Sequence, residues 1–465
     1  MLEFSSMLLI KYFKELFEDK ELMRKCKSIA FPIMFQSLII SAVNLVDNLM
    51  VGLLGDVAIS GVASANKYYN VIQFVLFSTI NSCIIYLSQY NGANNHDKMK
   101  QTFRFTLVFT YAVLLVGFAC VILFPNQLIK FIIDDPAIID AGTRYFRYAA
   151  FSYLPMGFSL VVANAMRAIG ETKIPLRISA VSMFVNAVLD YGLILGKFGL
   201  PRLEIEGAAI ATIISRIVEM ILCYYALKKG EYVFDTNIKD LFKFPKDLVL
   251  SILIKAWPLV LNEIAWNIGM VTLLKCYSSR GAVVNAAYSI SNIVSDLFFA
   301  LFSGMATASS VLIGTPLGAN KLDEARDNGY KLICFSVYMA IFFGVGLFMS
   351  SFVVGIIYSK VSYEVITLSK QILRCQGLIY WIYMFNTQCY FTLRAGGATK
   401  STMILDCGYM WAVNIPVVAI LSYFTKLTIL TVYVIGQLTD IGKGIVAYKI
   451  VRKESWVKNL AIESK

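Results

Sequence analysis

The sequence has few charged side chains for its length. Only 15% of its 465 residues are Asp, Glu, Lys or Arg, and 58% are hydrophobic; soluble domains carry about 25% charged residues. The apolar runs are not separated by any polar stretch long enough to fold as a soluble domain. This composition excludes an ordinary soluble protein. Apolar runs of about 20 residues predict helices that cross roughly 30 Å of hydrocarbon.

Residue types that usually perform catalysis are also scarce. The single histidine, His96, lies in a basic loop, where we expect it to be only solvated. The nine cysteines include no CxxC pair, so neither a disulfide framework nor a zinc site is indicated. The glycine-rich stretches 314–318 and 396–397 lack the Lys-Ser/Thr of a phosphate loop. We therefore expect no cofactor, no resident metal and no enzyme activity, and any pumping must draw on an ion gradient.

The net charge of +12 has an uneven distribution. Most of the 42 Lys and Arg residues fall in alternate loops and ends: 1–27, 92–104, 167–177, 228–247, 318–331, 394–400 and 449–465. This asymmetry follows the positive-inside rule. It predicts a multi-pass protein of the plasma (inner) membrane with both termini in the cytoplasm. Attraction to anionic membrane lipid explains the excess charge, so we expect no nucleic-acid partner.

Hydrophobic runs predict twelve membrane spans in an all-α integral membrane protein. The predicted spans are 28–54, 58–90, 103–124, 145–166, 175–197, 207–228, 249–278, 283–316, 329–357, 372–393, 401–424 and 427–451. They give an organisation of an amphipathic N-terminal segment lying on the inner face (1–27), an N-lobe (28–228), a cytoplasmic linker (229–248), a C-lobe (249–451) and a cytoplasmic tail (452–465).

An internal repeat relates the two predicted lobes. The shift that places Pro258 on Pro32 also places Gly281 on Gly55, Asn292 on Asn66, the triplet 318–320 on 92–94, and Asp323 on Asp97. One further residue of shift aligns the loops 167–173 and 394–400. Because each half holds an even number of spans, the halves must be parallel, related by a pseudo-two-fold axis along the membrane normal. This arrangement is typical of secondary transporters.

The rare carboxylates within the spans are functional candidates, because a charge at the bilayer centre is unfavourable. Asp47 and Asp190 each follow a proline, Pro32 or Pro175, by fifteen residues, about 22 Å of helix, so they reach similar depths. Asn186 precedes Asp190 by one helical turn. These oxygens suit Na⁺; alternatively the two acids share a proton. A purely structural hydrogen bond from each acid to a neighbouring helix remains open.

The second half holds other charges within its spans. Glu263 follows Pro258 by five residues and Asp296 lies in the eighth span. Each is a candidate contact for a substrate cation, with a structural polar contact as the alternative. Opposite charges spaced i,i+3 recur in the last span of each half and predict structural ion pairs: Arg216 with Glu219, and Asp440 with Lys443.

Several of these motifs together resemble one transporter family. Pro32, Asp47 with the following 50–55 (Met-Val-Gly-Leu-Leu-Gly), the Arg-Ala-x-Gly-x-Thr-Lys loops of both halves and the stretch 207–212 closely resemble the multidrug and toxic compound extrusion (MATE) family over about residues 25 to 450. The resemblance implies a twelve-helix antiporter that expels organic cations and other amphipathic compounds in exchange for Na⁺ or H⁺.

The resemblance also implies roles for individual residues. Asp47, Asn186 and Asp190 look like the N-lobe cation site of the family's DinF-like bacterial members, with Thr212 as a fourth oxygen. Pro32 matches the family's kink proline in the first helix. We therefore expect cation coupling in the N-lobe.

The resemblance is weaker at the C-lobe acids. Glu263 matches an acid of the NorM-like branch, but residues 375–391 of the tenth span contain no acid. We therefore expect a substrate cleft rather than a second coupling site there, lined by Glu263, Asp296, Gln376, Tyr383 and Asn386.

Two other functions within transport remain open. One is a lipid-linked sugar flippase of the same superfamily; the other is an exporter with a narrow substrate range. A channel or a membrane enzyme is less consistent with a two-lobe repeat that has no catalytic constellation. We expect a monomer that handles small amphipathic or cationic molecules.

Overall fold

The computed structural model describes residues 11–16, 18–234, 236–358 and 361–463. Within these ranges the regular structure is helical, without strands. The long helices are α1 Lys20–Gly52, α2 Asp56–Gly92, α3 His96–Leu123, α4 Pro136–Ala168, α5 Lys173–Leu195, α6 Glu204–Lys229, α7 Lys246–Ser278, α8 Ala282–Gly318, α9 Leu322–Ile357, α10 Tyr363–Ala395, α11 Thr399–Phe424 and α12 Ile429–Arg452.

The twelve predicted spans correspond to these twelve helices. Eleven are long and apolar enough to cross a membrane. The remaining helix, α10, has the length, 33 residues, but is more polar because it carries Lys370, Arg374 and Gln376. The largest differences lie at helix starts: α4 begins at Pro136 rather than 145, α10 at Tyr363 rather than 372, and α1 at Lys20 rather than 28. Hydropathy detects only the stretch that suits hydrocarbon, whereas these helices continue past it.

Three of the helices are irregular. A 3₁₀ turn, Ala150–Ser152, interrupts α4, and α8 is broken at Ser303. In α11 two π-helical segments, Ile404–Gly408 and Met410–Asn414, follow each other closely. Such π segments are rare and occur frequently at functional sites.

The backbone preserves the internal repeat at its turns. Left-handed residues occur at equivalent positions of both halves: Gly55 (φ 103°) with Gly281 (φ 121°), Asn94 (φ 52°) with Asn320 (φ 60°), and Gly170 (φ 87°) with Gly397 (φ 75°). At Gly55 and Gly281 a Cβ atom would meet no neighbour within 4 Å, so the positive φ rather than lack of space favours glycine there. The repeat is therefore present in the backbone conformation as well as in the amino-acid sequence.

The chain forms two compact units, of which the first contains Pro32–Leu253. The segment predicted as a cytoplasmic linker packs onto this unit. Phe234 is fully buried and its ring stacks on Phe103 of α3, with centroids 5.3 Å apart. The Arg104 guanidinium donates hydrogen bonds to the Thr236 hydroxyl and the Lys243 carbonyl, both at 3.3 Å. The predicted linker, 229–248, is therefore held against this unit by an aromatic contact and by hydrogen bonds from Arg104.

The second unit combines the described residues up to Phe31 with those from Ile254 onward. Of the predicted amphipathic segment, 1–27, residues 1–10 and 17 lie outside the described residues. Residues 11–16 are helical. The Tyr12 ring stacks on Tyr330 of α9 at 5.0 Å, and its hydroxyl donates to Asp327 at 3.1 Å. Leu16 is 2% exposed, whereas Phe13 is 40% exposed, so protein covers part of the apolar side of this segment.

The C-terminal tail is also packed onto this second unit. Trp456 is fully buried and its indole donates to the Val451 carbonyl at 2.9 Å. The Asn459 amide donates to the Gly318 carbonyl at 3.2 Å. The Arg326 guanidinium pairs with Glu454 at 2.9 Å. We therefore describe residues 452–463 as part of the C-lobe fold.

Candidate functional site

The predicted acid pair of the N-lobe comes together in the structure. The carboxyl groups of Asp47 on α1 and Asp190 on α5 lie in hydrogen-bonding contact. The Asp190 side chain is buried and Asp47 is half-buried. Their contact agrees with the equal helix spacing from Pro32 and Pro175.

This pair has oxygens that no protein donor satisfies. Asp47 Oδ1 and Asp190 Oδ1 are buried and accept no hydrogen bond from any described residue. The amide nitrogen of Asn186, one turn before Asp190, is buried and also lacks a partner. Two carboxylate oxygens in contact repel each other unless a proton or a cation lies between them. The arrangement can therefore hold a transferable positive charge.

Thr212 does not join this contact. Its hydroxyl donates to the Ala208 carbonyl of its own helix α6, at 3.0 Å. Such a bond to the carbonyl four residues earlier is common for threonine in helices. The fourth oxygen implied by the family resemblance is thus not part of the hydrogen-bonded pair in this structure.

A second group of polar side chains extends from the acid pair. Arg216 lies within electrostatic reach of Asp47 and forms an ion pair with Glu219 at 2.7 Å, which confirms the predicted pair in α6. Glu219 in turn lies 3.5 Å from the Ser179 hydroxyl. Tyr145 of α4, 9% exposed, lies within electrostatic reach of both Asp47 and Asp190.

This polar group continues through residues that the sequence analysis did not select. The Gln36 amide donates to the Ser179 hydroxyl at 2.6 Å, and Arg167 donates to Gln36 at 2.8 Å and to Asn164 at 3.1 Å. Arg167 belongs to the repeated Arg-Ala-x-Gly loop, and that repetition was the available signal. Gln36 and Ser179 carried no charge that would have distinguished them in the sequence.

In the C-lobe, three of the five predicted cleft residues line one cavity. The cavity has a volume of about 180 Å³, and Asp296, Gln376 and Tyr383 contribute to its wall. Glu263 and Asn386 do not line this cavity. Asn386 is 3% exposed and its amide donates to the Asp440 backbone carbonyl at 2.9 Å, which is a helix-packing contact.

Helix spacing gave the wrong ion pair in α12. Lys443 pairs with Asp406 of α11, with Nζ and Oδ1 2.7 Å apart, and not with Asp440. Asp406 also accepts a hydrogen bond from the Asn262 amide at 3.1 Å. Sequence reasoning missed Asp406, although an acid inside an apolar run was a sufficient signal. It lies in the first π-helical segment of α11.

Among the described residues there is no group of three or more His, Cys, Asp or Glu side chains placed to hold a metal ion. His96 is exposed at the start of α3.

Comparison with known proteins identifies the family. The MatE family model matches residues 32–192 and again 258–420, once in each half of the repeat. The chain belongs to the MatE family. MatE proteins are multi-pass membrane transporters, and the all-helical fold with two six-helix lobes fits that family.

Curated relatives of this MatE chain cover most of its length. It is 25% identical over 413 residues to the probable multidrug resistance protein YoeA of Bacillus subtilis, covering 87% of this chain and 88% of that one. It is 24% identical over 435 residues to the probable multidrug resistance protein NorM of Thermotoga maritima, covering 91% and 90%.

Solved structures share the fold. A MATE crystal structure in complex with MaL6 matches with a TM-score of 0.85 and 16% identity, covering 96% of this chain and 98% of that one. A MOP superfamily transporter from Pyrococcus furiosus matches with a TM-score of 0.83 and 16% identity, covering 94% and 97%. At this identity the likeness establishes the architecture of the MatE chain alone.

Proposed function

We propose that this MatE protein is a cation-coupled antiporter that exports organic cations and other amphipathic small molecules. The observation that carries the proposal is the contact between Asp47 and Asp190, each of which has one buried carboxyl oxygen without a donor among the described residues. A pair of this kind binds and releases one positive charge as its surroundings change. The multidrug resistance names of the relatives support the cargo class.

The coupling ion in this proposal is H⁺ or Na⁺. Direct contact of two carboxyl groups favours a shared proton, because a bound Na⁺ needs further oxygen ligands and Thr212 is not engaged. With a membrane potential of 100 mV, one charge supplies about 2.3 kcal/mol, enough for a concentration ratio of roughly fortyfold. That ratio is adequate for drug export.

The test is ethidium transport in proteoliposomes, with pH and Na⁺ gradients imposed separately. We expect wild-type protein to move ethidium under one of the two gradients and Asp190→Asn to lose that response. The matched control is Asp56→Asn, which removes an exposed acid at the start of α2. Normal gradient-driven transport by Asp190→Asn would overturn the site assignment.

Failure of the wild-type protein would instead favour the alternatives. If neither gradient moved ethidium, a narrow-substrate exporter or a lipid-linked sugar flippase would replace the multidrug proposal. A fluorescent lipid-linked sugar scrambled by the same proteoliposomes would identify the flippase.

We further propose that the protein acts as a monomer in the plasma membrane with both termini in the cytoplasm. The distribution of Lys and Arg supports this orientation. A fluorescent protein fused after residue 463 should be active, whereas alkaline phosphatase at the same place should be inactive. The opposite pattern would reverse the topology.

A further inference from the structure

Arg216 lies between two acidic groups in the interior of the N-lobe. Its Nη1 atom donates to Glu219 Oε2 at 2.7 Å, one turn toward the C-terminal end of α6. On its other side, Arg216 lies within electrostatic reach of Asp47. Its side chain is 33% exposed, so protein does not enclose it fully. Because a guanidinium carries five N–H donors, this side chain can serve either acid.

The register of α5 against α6 places the acid pair on the side toward which Arg216 leans. The Ser182 hydroxyl donates to the Ser215 carbonyl at 2.8 Å, which sets the level of Arg216 along α5. Asp190 follows Ser182 by eight residues, about 12 Å of helix, and so lies nearer the N-terminal end of the antiparallel α6. Helical side chains lean toward the N-terminus of their own helix. Arg216 therefore leans toward the acid pair.

Release of a coupling ion leaves two adjacent negative charges. Two ionised carboxylates in contact repel each other unless a cation lies near them. Arg216 is the basic side chain within electrostatic reach of the pair, and Tyr145 also faces it. Asp47 Oδ1 and Asp190 Oδ1 have no donor among the described residues. These oxygens can therefore accept hydrogen bonds from a guanidinium.

Glu219 keeps other partners when Arg216 turns away. It is 8% exposed, and its Oε1 atom lies 3.5 Å from the Ser179 hydroxyl. Arg167 lies within electrostatic reach of Glu219. A buried carboxylate that retains a donor and a nearby cation is not left uncompensated. Two further titratable side chains face Glu219, namely Tyr69 and Cys223.

We propose that Arg216 is the internal counter-ion of the acid pair: it pairs with Glu219 while the coupling ion is bound and turns to Asp47 when the ion leaves. The inference deepens the proposed antiport and rests on it for its biological role. Arg216 and the coupling ion then compete for the same carboxylates, and Glu219 favours ion binding by drawing Arg216 away.

Direct ion binding measures this competition. Full-length protein in lipid nanodiscs is titrated with H⁺ and, separately, with Na⁺, without drug or gradient. Infrared difference spectroscopy follows the carboxyl bands that Asp190→Asn lacks. We expect Arg216→Gln to reach half-saturation at an about tenfold lower ion concentration and Glu219→Gln at an about tenfold higher one. Arg216→Lys should remain near the wild type because it keeps the charge. The matched control is Arg144→Gln, which breaks an exposed ion pair with Glu206 and should leave ion binding unchanged.

A double variant separates competition from independent electrostatic effects. If Glu219 acts by holding Arg216, the variant Arg216→Gln/Glu219→Gln should bind the ion as tightly as Arg216→Gln alone. Independent effects of the two charges would add and would return the double variant to the wild-type value, which would refute the proposal. Because the double variant removes both charges of the ion pair, it also keeps the test decisive if a single variant fails to fold.

The outcome can be distinguished from that of the export proposal. The expected order of ion affinities can be found while ethidium transport fails, which would refute antiport and leave the counter-ion. Gradient-driven transport by the wild type, with unchanged ion binding in Arg216→Gln and in the double variant, would refute the counter-ion and leave antiport. A wild-type protein whose carboxyl bands respond to neither ion would overturn both proposals.

Discussion

The two lobes share a basic residue near the middle of their last helix but pair it differently. The shift that aligns the repeated loops places Lys443 of α12 on Arg216 of α6. Arg216 pairs with Glu219 on its own helix, whereas Lys443 pairs with Asp406 on α11, each at 2.7 Å. Both halves thus have a basic side chain at the equivalent position. Its acid partner lies on the same helix in the N-lobe and on the preceding helix in the C-lobe.

The neighbouring amides show how the difference arose. The Gln36 amide donates to Ser179 at 2.6 Å, and the Asn262 amide donates to Asp406 at 3.1 Å. Asn262 is the repeat equivalent of Gln36, and Asp406 that of Ser179. The C-lobe therefore has a carboxylate where the N-lobe has a hydroxyl, and this carboxylate takes the place of Glu219.

The acid pair of the N-lobe has no counterpart in the C-lobe. The same shifts place Asp47 on Leu273 and Asp190 on Val417. The comparison teaches that a duplicated scaffold preserved its helix contacts while its charges diverged.

The largest expected effect comes from breaking the C-lobe pair. Lys443→Met leaves Asp406 as a buried, uncompensated charge, and we expect it to lower the free energy of unfolding by about 3 kcal/mol or more. The double variant Asp406→Asn/Lys443→Met removes both charges and should recover most of that loss. Thermal unfolding in detergent measures both, and equal melting of single and double variants would contradict the pairing.

Substitutions that reproduce the C-lobe ion pair in the N-lobe should have a somewhat smaller effect on stability. Glu219→Val leaves Arg216 without its partner, which we expect to be destabilising by about 2 kcal/mol, since Arg216 is less completely buried than a core charge. Adding Ser179→Asp supplies a carboxylate at the position equivalent to Asp406 and should restore stability. If Ser179→Asp worsened the Glu219→Val melting temperature, the equivalence would be wrong.

The helical segment 11–16 packs only on the C-lobe unit, and we expect its loss to have a smaller effect on stability. Tyr12→Ala removes the stacking on Tyr330 and the hydrogen bond to Asp327, together about 1 to 2 kcal/mol. Burial and the neighbouring Asp327 raise the pKa of the Tyr12 phenol, so it remains a donor at neutral pH. Lys14→Ala, on the exposed side of the same helix, is the control. Unchanged melting of Tyr12→Ala would show that the contact contributes no stability.

The smallest effect is expected at Thr212. Because its hydroxyl bonds within α6, Thr212→Val should change gradient-driven ethidium transport by less than about twofold, well below 1 kcal/mol. A loss as large as that of Asp190→Asn would place Thr212 in the coupling site after all.

The sequence predicted the elements that depend on local pattern. Hydropathy found all twelve helices, and equal spacing from Pro32 and Pro175 brought Asp47 and Asp190 to one level. The local sequence pattern did not predict which helices face each other. Spacing of i,i+3 suggested Asp440 as the partner of Lys443, whereas Asp406 approaches from α11, whose π segments alter the helical register.

The packing of the two terminal segments and of the linker was missed for a related reason. Charged residues around Tyr12, Phe234 and Trp456 indicated solvated segments, while single aromatic side chains decide their packing. Cavity residues were only partly predicted, because Asp296 and Tyr383 lie on the wall while Glu263, on α7, does not.

The buried Trp456 and the cavity residue Trp266 have a spectroscopic consequence. All five tryptophans, Trp257, Trp266, Trp381, Trp411 and Trp456, occur after residue 254, so the unit from Pro32 to Leu253 contains none. The tryptophan fluorescence of the native protein therefore reports on the other unit alone. Ion binding at the acid pair should leave the tryptophan emission unchanged unless it alters the surroundings of these five side chains.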